Sequence, residues 1–441
     1  MKFSYRELKE ITAAIELTNN SEPTGSYEIS TDTRTISANN VYVPLKGESF
    51  DGELFIETAL NKGVEGYFTS KKDNIFTNAK FGLFVEDTKL AYLKLSNYYK
   101  KKIKPTTIAI TGSSGKTTTK EIFDAIFKNN RHTHKSALNH NNEIGLCQTL
   151  LSMPTNTEFL IVEMGMRGLG EIELLSKYAQ PDYAVITNIG TAHIGRLGSR
   201  ENIAKAKCEI TKYMSQNGTL VTLKDELYKT TLKDFKGRHL TIDETPSNFK
   251  PISMTKDYSE FIYKNNTYKL NVGGEYNIKD ALLAIQTALL CGLTPTEIQT
   301  GLATYKPIEK RFEETKIGSL NIINDSYNAN PDSMKAAIKT FIELYEGEKI
   351  LILADMKELG ADEIKYHKEI GTFLNQFEDI RLYTVGDLAK NISNETIHPT
   401  KHFCSNMDVA KELKNIETST HILLKGSRSM KLEEIIEEIK K

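Results

Sequence analysis

The chain has 441 residues, of which 39% are apolar and 26% charged, with a formal net charge of −1. At about 150 residues per domain that length suggests three domains. The near-zero charge excludes a global basic field for nucleic acid or an anionic membrane. The four cysteines, Cys147, Cys208, Cys291 and Cys404, form no C-x-x-C pair, so zinc and redox readings lack support. MKFSYRELKE has no apolar leader. No apolar run approaches the ~20 residues of a spanning helix, so no membrane insertion and a cytoplasmic location are expected.

The first block runs to about residue 86 through strand-like pieces at 41–45 (VYVPL), 66–70 (GYFTS) and 81–87 (FGLFVED). TKLAYLKLSNYYKKK reads as a helix and is placed with the middle block. The basic run and proline of KKKIKP (100–105) mark a joint. TTIAIT (106–111) is a strand candidate that runs into a glycine-rich loop. A helix then carries Ile122, Phe123, Ile126 and Phe127 on one face. EFLIVEMG (158–165) and YAVITNIG (183–190) read as further buried strands. Such alternation predicts a mostly parallel sheet with helices on both faces. The last block repeats it, with strands in SLNIIND (319–325), KILILAD (349–355), IRLYTVG (380–386) and HILLKG (421–426) and a helix over 332–345. The blocks are bounded at 1–86, 87–312 and 313–441.

Residues 109–120 read AITGSSGKTTTK. The usual phosphate loop is G-x-x-x-x-G-K-[ST], but only Ser113 and Ser114 separate Gly112 from Gly115 here. A strand, then glycines, then Lys-Thr, then an amphipathic helix is nonetheless the setting a phosphate needs. The curled backbone turns N–H groups inward and the helix N-terminus adds about half a positive charge. Lys116 can reach the β- and γ-phosphates, and Thr117 can present a hydroxyl to Mg²⁺. A glycine turn at a strand–helix junction is the alternative, although Thr117, Thr118 and Thr119 are poor helix formers that packing does not ask for.

Glu163 ends an apolar strand at the carboxyl edge of the sheet, where ligands bind in such folds. It reads as a metal ligand or as a solvated strand end. His193 follows the next strand, as a second site residue or a packing histidine. Lys207 alone reads as a solvated helix charge. In NHNNEIG (139–145), Asn141 and Asn142 offer donor and acceptor together for a polar substrate; a turn is the other reading.

In this order the motifs resemble the Mur ligases, which build the peptide stem of bacterial cell-wall precursors. That family uses the shortened loop T-G-[ST]-x-G-K-T, matched by TGSSGKT (111–117). The match continues through NNEIG, Glu163, AHIG with His193, the AK of Lys207, EYN with Asn277, KRFE with Arg311 and NDSYNANP (324–331). YNANPDSM (327–334), ADMKELG (354–360), KGSRSM (425–430), STDTR (30–34) and VPLKGESFDG (43–52) resemble the members that add D-alanyl-D-alanine to UDP-N-acetylmuramoyl-tripeptide.

The resemblance implies a three-domain α/β architecture. An N-terminal UDP-substrate-binding domain precedes a central domain with a P-loop ATPase-like parallel sheet and a C-terminal Rossmann-like domain. It implies ATP held by Gly112, Ser113, Ser114, Gly115, Lys116, Thr117 and Thr118 with Asn277, Asp280, Arg311 and Asp325. Two Mg²⁺ ions would be held by Thr117, Glu163, His193 and a carbamylated Lys207, and the catalytic set would be Lys116, Glu163, His193 and Lys207. Thr33, Arg34, Lys46 and Gly47 are implied at the UDP end, although DTR also reads as a type I turn. Asn141, Asn142, Tyr327, Asn328, Asn330 and Arg428 are peptide candidates. The implied reaction forms an amide through an acyl phosphate in peptidoglycan precursor synthesis, with the UDP-tripeptide and D-Ala-D-Ala as partners, no nucleic acid, and a monomer. One departure stands out. Where the family has H-N-x-x-N near the adenosine, this chain has EYNIKDA, so Asp280 replaces an Asn. An ionised Asp accepts hydrogen bonds but cannot donate. Another amide ligase of the superfamily, such as a different Mur ligase or a folylpolyglutamate synthase, is disfavoured by KGSRSM and the UDP block. A nucleotide-gated binding protein is disfavoured by Glu163, His193 and Lys207 together.

Overall fold

The computed structural model describes residues 2–19, 23–47, 49–137, 139–307 and 310–441. Glu48, in the VPLKGESFDG stretch, lies outside the described residues. Contacts divide the chain into two compact units. One is Met1–Thr107, His132–Val162 and Leu174–Gln180; the other is Ile108–Arg131, Glu163–Glu173 and Pro181–Lys441.

The first unit holds a mixed sheet of six strands, β1 (Phe3–Ser4), β2 (Ile15–Asn19), β3 (Ser26–Ser30), β4 (Asn40–Tyr42), β5 (Gly66–Thr69) and β6 (Phe81–Phe84), in the order β1-β3-β4-β5-β6-β2. The helix Thr88–Ile103 starts at Asp87, whose side chain accepts from Leu90 N–H, and ends at Lys104 in the left-handed conformation, just before Pro105. Its Tyr98 hydroxyl donates to Glu7 Oε1 (3.2 Å), so the helix read as part of the middle block shares this unit with the N-terminal sheet.

The second unit carries β7 (Thr106–Thr111, from Ile108), β10 (Tyr183–Ile186), β11 (Thr219–Thr222) and β12 (Arg238–Thr241), parallel in the order β12-β11-β10-β7. Ile108, Ala109, Ile110, Val185 and Val221 are fully buried, the unbroken apolar run of strands covered on both faces. The remaining two strands of the chain's middle, β8 (Thr133–Lys135) and β9 (Phe159–Glu163), pair in parallel in the first unit, with Glu163 itself falling in the second. After β7 comes the helix Lys116–Phe127, whose Ile122, Phe123, Ile126 and Phe127 are fully buried, as their spacing predicts.

An antiparallel sheet follows, β13 (Phe249–Met254), β14 (Ser259–Tyr263) and β15 (Asn266–Leu270). The C-terminal sheet is ordered β16-β17-β21-β18-β19-β20, from β16 (Glu313–Ile317), β17 (Leu320–Asn324), β18 (Glu348–Ala354), β19 (Ile380–Val385), β20 (Thr400–Phe403) and β21 (Thr420–Lys425). All its pairings are parallel except β16 with β17. Met334, Ile338, Phe341, Ile370 and Leu374 belong to one of its core clusters, and Val409, Leu413 and Ile435 to another. Because β17, β18 and β21 run in parallel, the loops NDSYNANP, ADMKELG and KGSRSM all leave the same sheet edge. That is the edge where ligands bind in open α/β sheets.

Phe123 lies wholly within the apolar layer below the phosphate loop. Phe123→Ala should cost about 3–5 kcal/mol in denaturant unfolding; a loss below 1 kcal/mol would place the ring outside the core.

Candidate active site

The loop 112–115 is held from outside by the segment that follows β10. Ser113 N–H donates to Asn188 O (3.2 Å), Ser114 N–H to Asn188 Oδ1 (3.1 Å), and Gly190 N–H to Ser113 Oγ (2.9 Å). Asn188 Nδ2 donates to Ser114 Oγ (2.9 Å) and Thr187 Oγ1 to Ser114 O (2.5 Å). Both glycines are required by contact. A Cβ at Gly112 would lie 1.8 Å from Thr187 Oγ1. One at Gly115, whose φ is +78°, would lie 2.4 Å from Asp280 Oδ1. Gly115 is also the N-cap of the helix Lys116–Phe127, and no side chain caps that end. The first N–H groups of the helix therefore face the loop without a side-chain acceptor, the arrangement that binds phosphate.

Lys116 folds back across the loop and donates to Gly112 O (2.8 Å). Desolvation by burial lowers its pKa from the ordinary lysine value; Glu163 opposes that shift and Arg311 adds to it. Glu163 is 4% exposed, with the ammonium of Lys120 3.8 Å away and fully buried. Lys207 is 1% exposed, and burial, reinforced by Lys116, holds its pKa well below the usual range. His193 sits before the short helix Ile194–Leu197 at φ 64°, and its Nδ1 lies 2.6 Å from Glu358 Oε2, off the axis of an aligned hydrogen bond. Burial lowers its pKa, Glu358 opposes this, and Lys116 and Lys207 add to it.

Just before the last block, Arg311 Nη2 donates to Thr117 Oγ1 (3.0 Å), and its guanidinium lies 4.2 Å from the centre of the ring of Tyr327 in the last block. Asp325 Oδ2 accepts from the buried Lys425 ammonium (2.6 Å), which also donates to Asn328 O (3.0 Å). The structure thus gathers Lys116, Thr117, Glu163, His193, Lys207, Asp280 and Arg311. Thr118 and Asn277 are buried, and Asn277 Nδ2 donates to Gly273 O (2.7 Å).

Two peptide candidates are engaged locally. Asn142 accepts from Gly145 N–H (2.9 Å) and Asn330 from Ser333 N–H (2.9 Å), so both act as helix caps. Asn141 stands beside Asn142 in the first unit, its N–H donating to Asn139 O (2.7 Å). Arg428 is paired with Glu433. In the first unit, Arg34 pairs with Asp32 (2.7 Å), Lys62 Nζ donates to Thr33 O (2.7 Å), and Gly47 N–H donates to Phe50 O (2.8 Å) beside the bridge from Lys46 to Asp51. An open pocket of about 390 Å³, lined by Ser30, Thr31, Asp32, Thr35, Gln148 and Ser152 among others, adjoins that turn.

The sequence reading missed Lys120, Lys425 and Glu358. Lys120 was detectable, one helical turn beyond Lys116 on a face otherwise apolar. Lys425 and Glu358 lie in motifs read only for likeness, and their partners come from distant parts of the chain.

A glycine-rich cradle that follows a parallel strand and opens onto an uncapped helix N-terminus defines a P-loop nucleotide-type protein. Residues 26–100 match the Mur ligase family catalytic domain, 110–288 the Mur ligase middle domain and 310–428 the Mur ligase glutamate ligase domain. The UDP-N-acetylmuramoyl-tripeptide–D-alanyl-D-alanine ligase of Bacillus subtilis is 37% identical over 95% of this chain and 94% of its own length. That of Escherichia coli is 30% identical over 92% of each. Crystal structure I of MurF from Acinetobacter baumannii superposes with a TM-score of 0.92 at 26% identity, over 100% of this chain and 99% of that one. MurF ligase from Thermotoga maritima in complex with ADP gives 0.84 at 26% identity, over 94% and 97%. The chain belongs to the Mur ligase family, and its fold is the family's three-domain α/β fold, with mixed sheets in the N- and C-terminal domains.

Asp280, the departure from the family pattern, is 5% exposed, and burial raises its pKa to about 8 against the pull of Thr119 and Arg311. Burial thus favours the protonated carboxyl, which donates as well as accepts, as an Asn does, whereas the ionised form only accepts. In the unfolded chain it ionises near 4. Stability from this group is then complete below about pH 4 and is lost as pH rises toward 8. Asp280→Asn should raise Tm, with a gain that widens from pH 5 to pH 8 to several kcal/mol in order of magnitude. A pH-independent gain would refute the buried acid.

Proposed function

We propose that this chain is an ATP-dependent amide ligase that adds D-alanyl-D-alanine to UDP-N-acetylmuramoyl-tripeptide in peptidoglycan precursor synthesis. The observation that carries the reading is the pairing of whole-length likeness to such ligases with a phosphate cradle ringed by Lys116, Glu163, His193, Lys207 and Arg311.

A carboxylate must be brought against a triphosphate, and both are anions. Lys116 and the uncapped helix N-terminus supply the positive potential that makes their approach possible. A carboxylate oxygen of the tripeptide attacks the γ-phosphorus and ADP leaves. The dipeptide amine then attacks the acyl carbon, phosphate departs, and the amine proton is released. Arg311, stacked on Tyr327 and bonded to Thr117, brings the last block over the loop, where it shields the acyl phosphate from water.

The donor chemistry fits Mg²⁺. Thr117 and Glu163 supply hard oxygens, with phosphate and water as the usual remaining ligands. Bound Mg²⁺ would neutralise phosphate charge. A second ion would be held by His193 and Lys207, the latter as a carbamate. A buried lysine with a depressed pKa presents the neutral amine that reacts with CO₂, and the product is an oxygen anion where an ammonium was disfavoured. Asn277 and Asp280 would face the adenosine, and Asp325, held by Lys425, the nucleotide. Thr33, Arg34, Lys46 and Gly47 would hold the UDP end, beside the pocket at Ser30–Asp32. Asn141, Asn142, Tyr327, Asn328, Asn330 and Arg428 would shape the peptide site, Asn142 and Asn330 through the helices they cap. Domain limits at 1–86, 87–312 and 313–441, a monomeric state and a cytoplasmic location belong to the same reading. Among the described residues no helix is long and apolar enough to cross a membrane.

Phosphate release should require UDP-tripeptide and D-Ala-D-Ala together, with the ligated product seen by mass spectrometry; release independent of either would sink the ligase reading. Lys116→Ala should lower kcat by several kcal/mol in barrier terms while unfolding like the parent. For Lys207, ¹³C-bicarbonate should give a carbamate resonance that is absent in Lys207→Ala. That variant should be nearly inactive and partly rescued by acetate, whereas Lys207→Arg should not be. A Lys207→Ala enzyme with most of the parental rate would remove the carbamate from the mechanism.

A further inference from the structure

Arg311 stands in a turn whose backbone is held against its preference on both sides. Lys310 and Phe312, its two neighbours, are non-glycine residues in the left-handed conformation, with φ values of +57° and +59°. Such conformations are costly and persist only where the surroundings over-determine them. Here they do. Lys310 N–H donates to Glu313 Oε2 (2.8 Å) and its ammonium to Glu433 Oε1 (3.2 Å), while its carbonyl accepts from Tyr327 N–H (3.3 Å). Phe312 is buried in the C-terminal core, its ring centre 6.4 Å from that of Tyr276 and 6.5 Å from that of Tyr345.

The guanidinium that this turn projects is itself held at two points, Thr117 Oγ1 (3.0 Å) and the face of the Tyr327 ring (4.2 Å). Tyr327 therefore meets the turn twice, through its main-chain N–H and through its ring. Its own loop has little freedom. The buried Ser326 donates through N–H (3.2 Å) and Oγ (2.6 Å) to Asn324 Oδ1. The buried Lys425 ammonium bonds Asp325 on one side of Tyr327 (2.6 Å) and the Asn328 carbonyl on the other (3.0 Å). The ring is a fixed surface against which Arg311 lies.

An arginine immobilised only when its ligand arrives loses rotamer freedom at that moment. One already laid on an aromatic face does not, and the attraction between cation and ring quadrupole supplies the hold.

We infer that Tyr327 is the positioning residue of Arg311. Its ring keeps the guanidinium beside Thr117, at the head of the phosphate cradle, before the nucleotide binds. A residue read from the sequence as a peptide contact then acts on the nucleotide side of the reaction, through Arg311. This rests on the proposed placement of ATP in the cradle.

The test uses the full-length protein and the variants Y327L, Y327F, R311A and the double variant Y327L/R311A. Y327L removes the ring but keeps the main-chain N–H that bonds Lys310. Affinity for AMP-PNP with Mg²⁺ is read by titration calorimetry, and KM for ATP and for D-Ala-D-Ala in turnover assays. Y327L should weaken AMP-PNP binding by about 3- to 30-fold and raise KM for ATP in step, with KM for D-Ala-D-Ala at the parental value. Y327F keeps the ring face and should recover the lost affinity, which separates the ring from a general disturbance of the loop. In the R311A background, Y327L should have no further effect. If Y327L weakens AMP-PNP equally with and without Arg311, the ring is a structural contact only and the inference is overturned. A raised dipeptide KM with parental AMP-PNP affinity in Y327L would return Tyr327 to the peptide site and overturn it as well. Parental AMP-PNP affinity in R311A would overturn the placement of Arg311 at the nucleotide itself, whereas weakened binding in R311A with none in Y327L overturns the role of Tyr327 alone, so the two failures are separable.

Discussion

The crowding of basic side chains around the cradle is the constraint around which the second unit is organised. Burial and then Lys116 push the pKa of Lys207 down, and burial and then Arg311 push down that of Lys116. Folding tolerates this arrangement because the compensating charge is not part of the chain. A triphosphate in the cradle, and a carbamate on Lys207, would each convert an unfavourable cluster into a paired one. Glu163 supplies one internal counter-charge and is itself shared with Lys120. With those anions in place the basic cluster would be charge-paired. That is the condition under which a polyanion binds tightly and its γ-phosphorus becomes open to an anionic nucleophile.

The last block and Arg311 just before it enter this field at three points, and each falls on a residue of the cradle or its support. Arg311 reaches Thr117, Asp332 reaches Thr191, and Glu358 reaches His193. Lys256 with Glu314 and Lys339 with Glu275 add ion pairs, and Ile194 and Tyr276 add apolar contacts with the C-terminal core.

What was legible in the sequence was local. β7, the shortened loop and the helix after it follow from apolar runs, glycines and a 3.6-residue period confined to a few dozen residues. β17, β18, β19 and β21 stand out for the same reason. The antiparallel β13–β15 sheet went unread, because β14 alternates buried and half-buried residues while β13 is largely exposed, so no continuous apolar run announces it. Its turn did carry a signal: Lys264 and Asn265 are both left-handed (φ +49° and +64°) between two alternating strands, as a two-residue hairpin requires. Asn330 was read for recognition, yet Asn-Pro-Asp-Ser is itself a helix start, with Pro at the first turn and Ser333 closing a capping box. Glu358 could not be read at all. Its contact with His193 depends on two loops meeting from different blocks, and nothing within ADMKELG encodes the partner.

The shortened loop shows how local brevity is offset by tertiary support. With two residues fewer than the usual phosphate loop, the Gly112–Gly115 turn has little backbone of its own to stiffen it. Its amides and hydroxyls are instead pinned by Thr187, Asn188 and Gly190, which leave the neighbouring parallel strand at the same sheet edge. The same segment continues to Thr191 and His193, the residues that meet the last block. A single stretch of seven residues, 187–193, therefore braces the cradle on one side and receives the C-terminal loops on the other. The phosphate loop is thus tied to the last block by two routes, this stretch on one side and Arg311 between Tyr327 and Thr117 on the other.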